Sequence, residues 1–249
     1  LRNNETGSYS TAVGTKSLYN NTTGNNQAFG SFVMLENTTG TLNNAFGYAT
    51  LEKNTTGNNN TAMGHAAMNK NTSGCNNTAS GYHALCSNTT GGNNTAVGHI
   101  SLAKNTTGCR NTAHGFYALY CNTTGSCNTA VGSEAMEKNT TGDANVAVGF
   151  ESLKSNTTAT RNVAIGSYAG TCNTTGACNF FGGNAAGNKN TTGHSNVAIG
   201  RQAMGCNTTA AYNTVVGACA LYCNTSVGMA MEAFGFRALH SNTNGSCNL

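Results

Sequence analysis

The chemistry open to this chain starts with asparagine. Asn followed two residues later by Thr or Ser, with no Pro between, is the acceptor sequence for N-linked glycan transfer. It occurs at Asn4, Asn21, Asn37, Asn54, Asn71, Asn88, Asn105, Asn122, Asn139, Asn156, Asn173, Asn190, Asn207 and Asn224, and again at Asn20, Asn59, Asn76, Asn93 and Asn244. The same letters have a purely structural use, because Asn side chains close tight turns and stacked Asn amides form ladders. Both readings stand.

Cysteine is the second reactive type. Eleven Cys without a CxxC pair lack zinc-ribbon spacing and point to disulfides in an oxidising, extracellular setting. Cys121 and Cys127 flank one turn as CNTTGSC, and Cys172 and Cys178 flank another as CNTTGAC, which predicts a bridge across each. Cys206 with Cys223 and Cys75 with Cys86 are further candidate pairs. Free or small buried thiols are the alternative.

Acid and base groups are sparse. Glu134 and Glu151 recur one 17-residue interval apart, and stacking would bring them near the ~5 Å carboxylate separation of retaining glycosidases. Yet Asp143 is the single Asp, the six His occupy no single column, and Glu137 with Lys154 offers an ion pair beside the two carboxylates. His83 and Cys86 make an HxxC with no second half at zinc spacing. No catalytic residue, metal ligand or cofactor is predicted, and the chain is not expected to be an enzyme.

The elements that must position these residues come from an unusual composition. Asn, Thr and Gly number 40, 38 and 32 of 249 residues, charged residues are 8%, and Pro and Trp are absent, which is not globular usage. The net charge of +4 is spread along the chain, so no basic cluster tracks phosphates and nucleic acid is not an expected partner. No run of eighteen apolar residues exists, so membrane insertion is not expected either. The start at Leu1 lacks a signal-peptide profile and both ends fall within a repeat, which suggests a mature chain or a segment of a longer fibre.

Periodicity organises all of it. The Asn that opens each NTTG-like segment falls at Asn4, Asn21 and Asn37, then every 17 residues to Asn224, and last at Asn242. Numbered from that Asn, the unit reads NTTGxxNTAVGxxALxx, with Gly at position 11 from Gly14 to Gly235. Two Gly and many β-branched or Asn residues per unit disfavour helix. The expectation is an all-β parallel solenoid of about fifteen 17-residue coils, a single continuous array over residues 1–249, with two short strands per coil. Alternation in NTAVG places positions 8 and 10 on one face, and the branched residues there, such as Val163 with Ile165 and Val197 with Ile199, are expected to point inward. Leu or Met at position 15, beside a small residue at position 14 as in Ala84 with Leu85, is expected to fill the same core; Gly170 and Gly187 break that column.

At NVAIG (Asn162 to Gly166, Asn196 to Gly200) and NTAVG (Asn94 to Gly98, Asn128 to Gly132), the chain resembles the head repeats of trimeric autotransporter adhesins, the YadA-like head. The full unit also resembles repeats of phage and bacterial tail-fibre proteins. The resemblance implies a left-handed parallel β-roll, often trimeric, displayed outside the cell to bind surfaces or receptors. The adhesin repeat is shorter than seventeen residues and such heads are poor in Cys, so the cysteines here fit a secreted filament of another source.

One more pattern bears on partners. Position 12 reads Tyr48, His65, Tyr82, His99 and Phe116 on five successive units. Such a stripe suits a glycan or receptor, since aromatic faces give large, rigid contact area, and equally suits a self-stacking ladder or subunit interface. The leading expectation for the whole chain is a structural subunit of an extracellular, N-glycosylated filament that assembles with itself end to end or as a homo-oligomer such as a trimer. The alternative is a tail-fibre or adhesin head that binds a host glycan or receptor.

Overall fold

The computed structural model describes residues 7–223 and 230–242. All regular structure there is β, with one three-residue strand per coil, and the fold is a parallel β-solenoid with a 17-residue repeat. The chain divides into two compact units, Leu1–Ser126 and Cys127–Leu249.

The first unit carries β1 (Thr11–Val13), β2 (Gln27–Phe29), β3 (Asn44–Phe46), β4 (Thr61–Met63), β5 (Thr78–Ser80), β6 (Thr95–Val97) and β7 (Thr112–His114). Each pairs in parallel with the next, position above position, as in Thr61 with Thr78 and Ala62 with Ala79. The second carries β8 (Thr129–Val131), β9 (Val146–Val148), β10 (Val163–Ile165), β11 (Phe180–Gly182), β12 (Val197–Ile199), β13 (Thr214–Val216) and β14 (Glu232–Phe234), paired in the same way. In-register stacking follows from the constant repeat length, since each coil then returns the chain to the same place one rung on.

The second segment of the coil is not the second strand that the repeat predicts. Positions 12 to 17 form consecutive turns in which positions 13 and 15 have positive φ, for example Ala66 at 53° and Met68 at 51°. Ala67 N–H donates to the Gly64 carbonyl at 3.4 Å and Asn69 N–H to the Ala66 carbonyl at 3.3 Å. Closure over three residues with φ > 0 at the third is the pattern of a type II turn. A non-Gly residue in that region costs about 1 kcal/mol or more. Bonds between rungs hold the backbone there: Leu51 N–H donates to the Ala67 carbonyl and Lys53 N–H to the Asn69 carbonyl, at 3.0 and 2.9 Å.

Gly at position 11 is required by the stack. It has φ of 125° at Gly64, and a Cβ there would lie 2.5 Å from the carbonyl oxygen of Gly81 on the next rung.

The core is built from small residues, and the strand faces are the reverse of those expected. Ala164 and Ala198 at position 9 are 0% exposed, whereas Ile165 and Ile199 at position 10 are 47% and 41% exposed, and Val163 and Val197 at position 8 are only partly covered. The interior of so narrow a coil already holds position 14, the Leu or Met of position 15 and two Asn side chains, so small residues suit position 9, which is Ala in every strand except at Phe181 and Val215. Position 15 is buried as expected, at 0% exposure from Leu18 and Met34 through Leu221, apart from the two Gly.

Candidate functional site

Two sets of residues could do something beyond folding: the asparagine and cysteine positions around the NTTG turn, and the aromatic column at position 12.

The position-1 asparagines are buried. Asn54, Asn71, Asn88, Asn105 and Asn122 are 0% exposed in the first unit, as are Asn139, Asn156, Asn173 and Asn190 in the second. In Asn54, Asn71, Asn88, Asn105, Asn122, Asn156, Asn173 and Asn190, Nδ2 donates both to the Oδ1 of the Asn one rung back and to the carbonyl that closes its own turn; for Asn88 these are Asn71 Oδ1 at 2.8 Å and Gly91 O at 2.9 Å. Asn21 and Asn37 continue the column of bonded amides at one end and Asn207 at the other. The expectation that this column accepts glycans is therefore corrected for the folded chain. Nδ2 is the atom a glycan would modify, and it is enclosed with both its hydrogens used. Asn4 and Asn224 lie outside the described residues.

A second Asn column, at position 7, went unrecognised in the sequence as buried structure. Asn94 N–H donates to Asn77 Oδ1 at 2.9 Å, and Asn94 Nδ2 donates to the Gly108 carbonyl at 2.9 Å on the next rung. Its signal was the Asn that precedes almost every strand. In contrast, Asn59, Asn76 and Asn93 at position 6 are exposed, with φ of 57° to 60°, a region that Asn tolerates. They and the partly exposed Asn20 are the acceptor sequences that the fold presents to solvent; Asn244 lies outside the described residues.

The turn also binds rung to rung through its backbone. The N–H groups of Thr55, Thr56 and Gly57 converge on the Thr72 carbonyl at 2.9, 3.0 and 3.3 Å, and Thr55 Oγ1 joins them at 3.0 Å. Thr191, Thr192 and Gly193 do the same to the Thr208 carbonyl in the second unit.

The ten described cysteines are free thiols. The expected pairs Cys172 with Cys178, Cys206 with Cys223, and Cys75 with Cys86 are not bonded, and Cys121 and Cys127 are each free in their own units. For Cys172 and Cys178 the reason is local. Asn173, between them, turns its amide into the coil onto the Gly176 carbonyl at 2.9 Å, and both thiols are left exposed on the outside of the turn.

The position-12 column is a continuous stack. Ring centroids of Tyr48 and His65 lie 5.3 Å apart, His65 and Tyr82 5.3 Å, Tyr82 and His99 5.2 Å, and His99 and Phe116 5.4 Å, with interplanar angles of 11° to 20°. Tyr48, Tyr82 and Phe116 remain about half-exposed. His83, at position 13, stacks on Tyr82 at 4.2 Å and on His65 at 5.5 Å. Its imidazole is held below the ordinary value by burial first and by the neighbouring His65 and His99 second.

A groove of about 330 Å3 opens beside this stack, lined by Ala49, Ala66, His65, His83, Asn69, Lys70 and Cys86. It exists because position 13 is Ala on two successive rungs. His65 and His83 lie parallel, 7° apart, rather than converging on one point. Among the described residues no group of three His, Cys, Asp or Glu comes together as metal ligands do.

The two carboxylates Glu134 and Glu151 do meet, but around a lysine. Lys154 Nζ bonds Glu134, lies 3.1 Å from Glu151 and 3.7 Å from Glu137. Its ammonium is held well above the ordinary range, chiefly by the Glu134 hydrogen bond and then by that from Glu151, against a lowering from burial. The pair shares a counter-ion where a glycosidase would hold a sugar.

No family model, curated protein or solved structure matches the chain.

Proposed function

We propose that the chain is a structural segment of an extracellular filament or fibre, lengthened by stacking rung on rung, and that it has no enzymatic activity. The observation that supports this reading is the translational bonding of the coil. Rungs such as those of Thr55–Gly57, Thr89–Gly91 and Thr191–Gly193 offer, on one side, the three N–H groups of the NTTG turn and, on the other, a Thr carbonyl and an Asn amide that a further rung donates to or accepts from in the same way. A surface that complements its own translated copy gives heterologous, head-to-tail growth without closure. Open parallel strand edges add ladder bonds at every junction.

Electron microscopy of the purified chain over a series of concentrations tests it. Rods that lengthen by whole chain units as concentration rises are the expected result. Rods that stay one chain long at every concentration would sink it.

The stacked, half-exposed column from Tyr48 to Phe116 favours a second reading, the head of a tail fibre or adhesin that binds a host glycan or receptor. The resemblance of NVAIG and NTAVG to YadA-like head repeats supports the same reading. Discrete trimers that bind a glycan array, and lose that binding when Tyr48 and Tyr82 become Ser, would establish it over the first.

A further inference from the structure

We propose that Cys206 and Cys223 form a two-thiolate site for a soft, thiophilic cation of the Cu(I) type. Both occupy position 17, on consecutive rungs: Cys206 N–H donates to the carbonyl of Tyr222, the residue before Cys223, at 2.8 Å. The same backbone link recurs twice where the side chains can be followed. Glu36 N–H donates to the Glu52 carbonyl, and the side chains of Glu36 and Lys53 form an ion pair. Lys104 N–H donates to the Tyr120 carbonyl, and Lys104 Nζ reaches Cys121 Sγ at 4.0 Å. Position-17 side chains on adjacent rungs therefore project outside the coil on the same side, within reach of one another where one of them is Lys.

Two thiols stacked in this way suit a metal ion better than each other. Parallel Cβ vectors at the rung spacing of ~4.8 Å exceed the Cβ separation of about 3.5–4.5 Å that a disulfide requires, and both thiols are free and partly exposed. With bonds as long as the ~2.3 Å of zinc to sulfur, a cation held linearly between two sulfurs spans roughly 4.6 Å, close to one rung. Thiolate donors in a two-coordinate arrangement select soft ions such as Cu(I) over Ca2+, Mg2+ or Mn2+. Binding replaces two S–H bonds with two S–Cu bonds and releases two protons, giving an anionic dithiolate complex with no change of oxidation state. Cys172 shares position 17 but has Ser155 and Lys189 as its column neighbours, so it lacks a second sulfur on either side.

The test is a competition titration of the full, phosphine-reduced chain with Cu(I) supplied as its bicinchoninate complex. The wild-type chain is expected to withdraw one equivalent more than Cys206→Ser or Cys223→Ser, with affinity at that equivalent falling roughly 100-fold when the bidentate hold is lost. Cys172→Ser should match the wild type. Ser already stands at position 17 as Ser87 and Ser155, so the variants should fold, and circular dichroism checks that they do. Equal withdrawal by Cys206→Ser and wild type, or the same loss in Cys172→Ser, would overturn the proposal.

Discussion

The ring of Phe181 lies in the space where a side chain on Gly187 would stand: a Cβ there would be 2.3 Å from ring carbon Cδ1, and one on Gly170 would be 2.6 Å from Cδ2. Phe181 is the one large residue in the Ala column of position 9, and it is fully buried. Gly170 and Gly187 are the two gaps in the Leu/Met column of position 15. The core keeps its volume by moving it from two side chains into one.

Phe181→Ala should therefore cost about 3–5 kcal/mol, the range for removing a buried Phe. Gly187→Leu alone should also destabilise by collision with the ring. The combination of Phe181→Ala, Gly170→Leu and Gly187→Leu restores the regular repeat, and should recover most of the loss in a urea melt. Additive losses across the three would show that the exchange of volume is not what couples these positions.

Strand polarity gives a second test. Ala164→Ile should destabilise by about 1–3 kcal/mol through overpacking, whereas Ile165→Thr on the exposed face should cost less than about 1 kcal/mol. The order would reverse if the branched residues lined the core.

The buried amide column predicts where carbohydrate can go. When the chain is secreted from a eukaryotic cell, peptide mass spectrometry should find Asn54, Asn71 and Asn88 unmodified, with any glycan at the exposed Asn59, Asn76 or Asn93. Replacing Asn88 by Ala should destabilise by about 1–3 kcal/mol, because Asn71 Oδ1 then loses its donor and the Gly91 carbonyl keeps only the one from Asn77. Glycan on Asn88 in folded material would contradict the ladder.

Acid should weaken the aromatic column. His83 has a folded pKa below its ordinary value near 6.5, so the unfolded chain takes up a proton first as pH falls. The stability present above about pH 6.5 is lost progressively down to the folded pKa. Thermal melts between pH 7.5 and 5 should show this slope in the wild type and a shallower one in His83→Gln. Identical slopes would remove His83 as the cause.

The sequence by itself determined the period, and with it the parallel in-register stack, the Gly column and the Leu/Met column. Equal spacing leaves a coil no other way to superimpose its like residues. It also placed Tyr48, His65, Tyr82, His99 and Phe116 in one line, and the rings do stack.

Which face of NTAVG turns inward was decided only by the tertiary structure. Alternation separates Ala164 from Ile165 but is silent on the width of the coil, and a narrow interior selects by volume rather than by hydrophobicity. The same holds for Asn88 and Asn94. As letters they are acceptor sequences or turn formers, and only the neighbouring rung, by supplying Asn71 Oδ1 and the Gly108 carbonyl as partners, makes burial of an amide favourable.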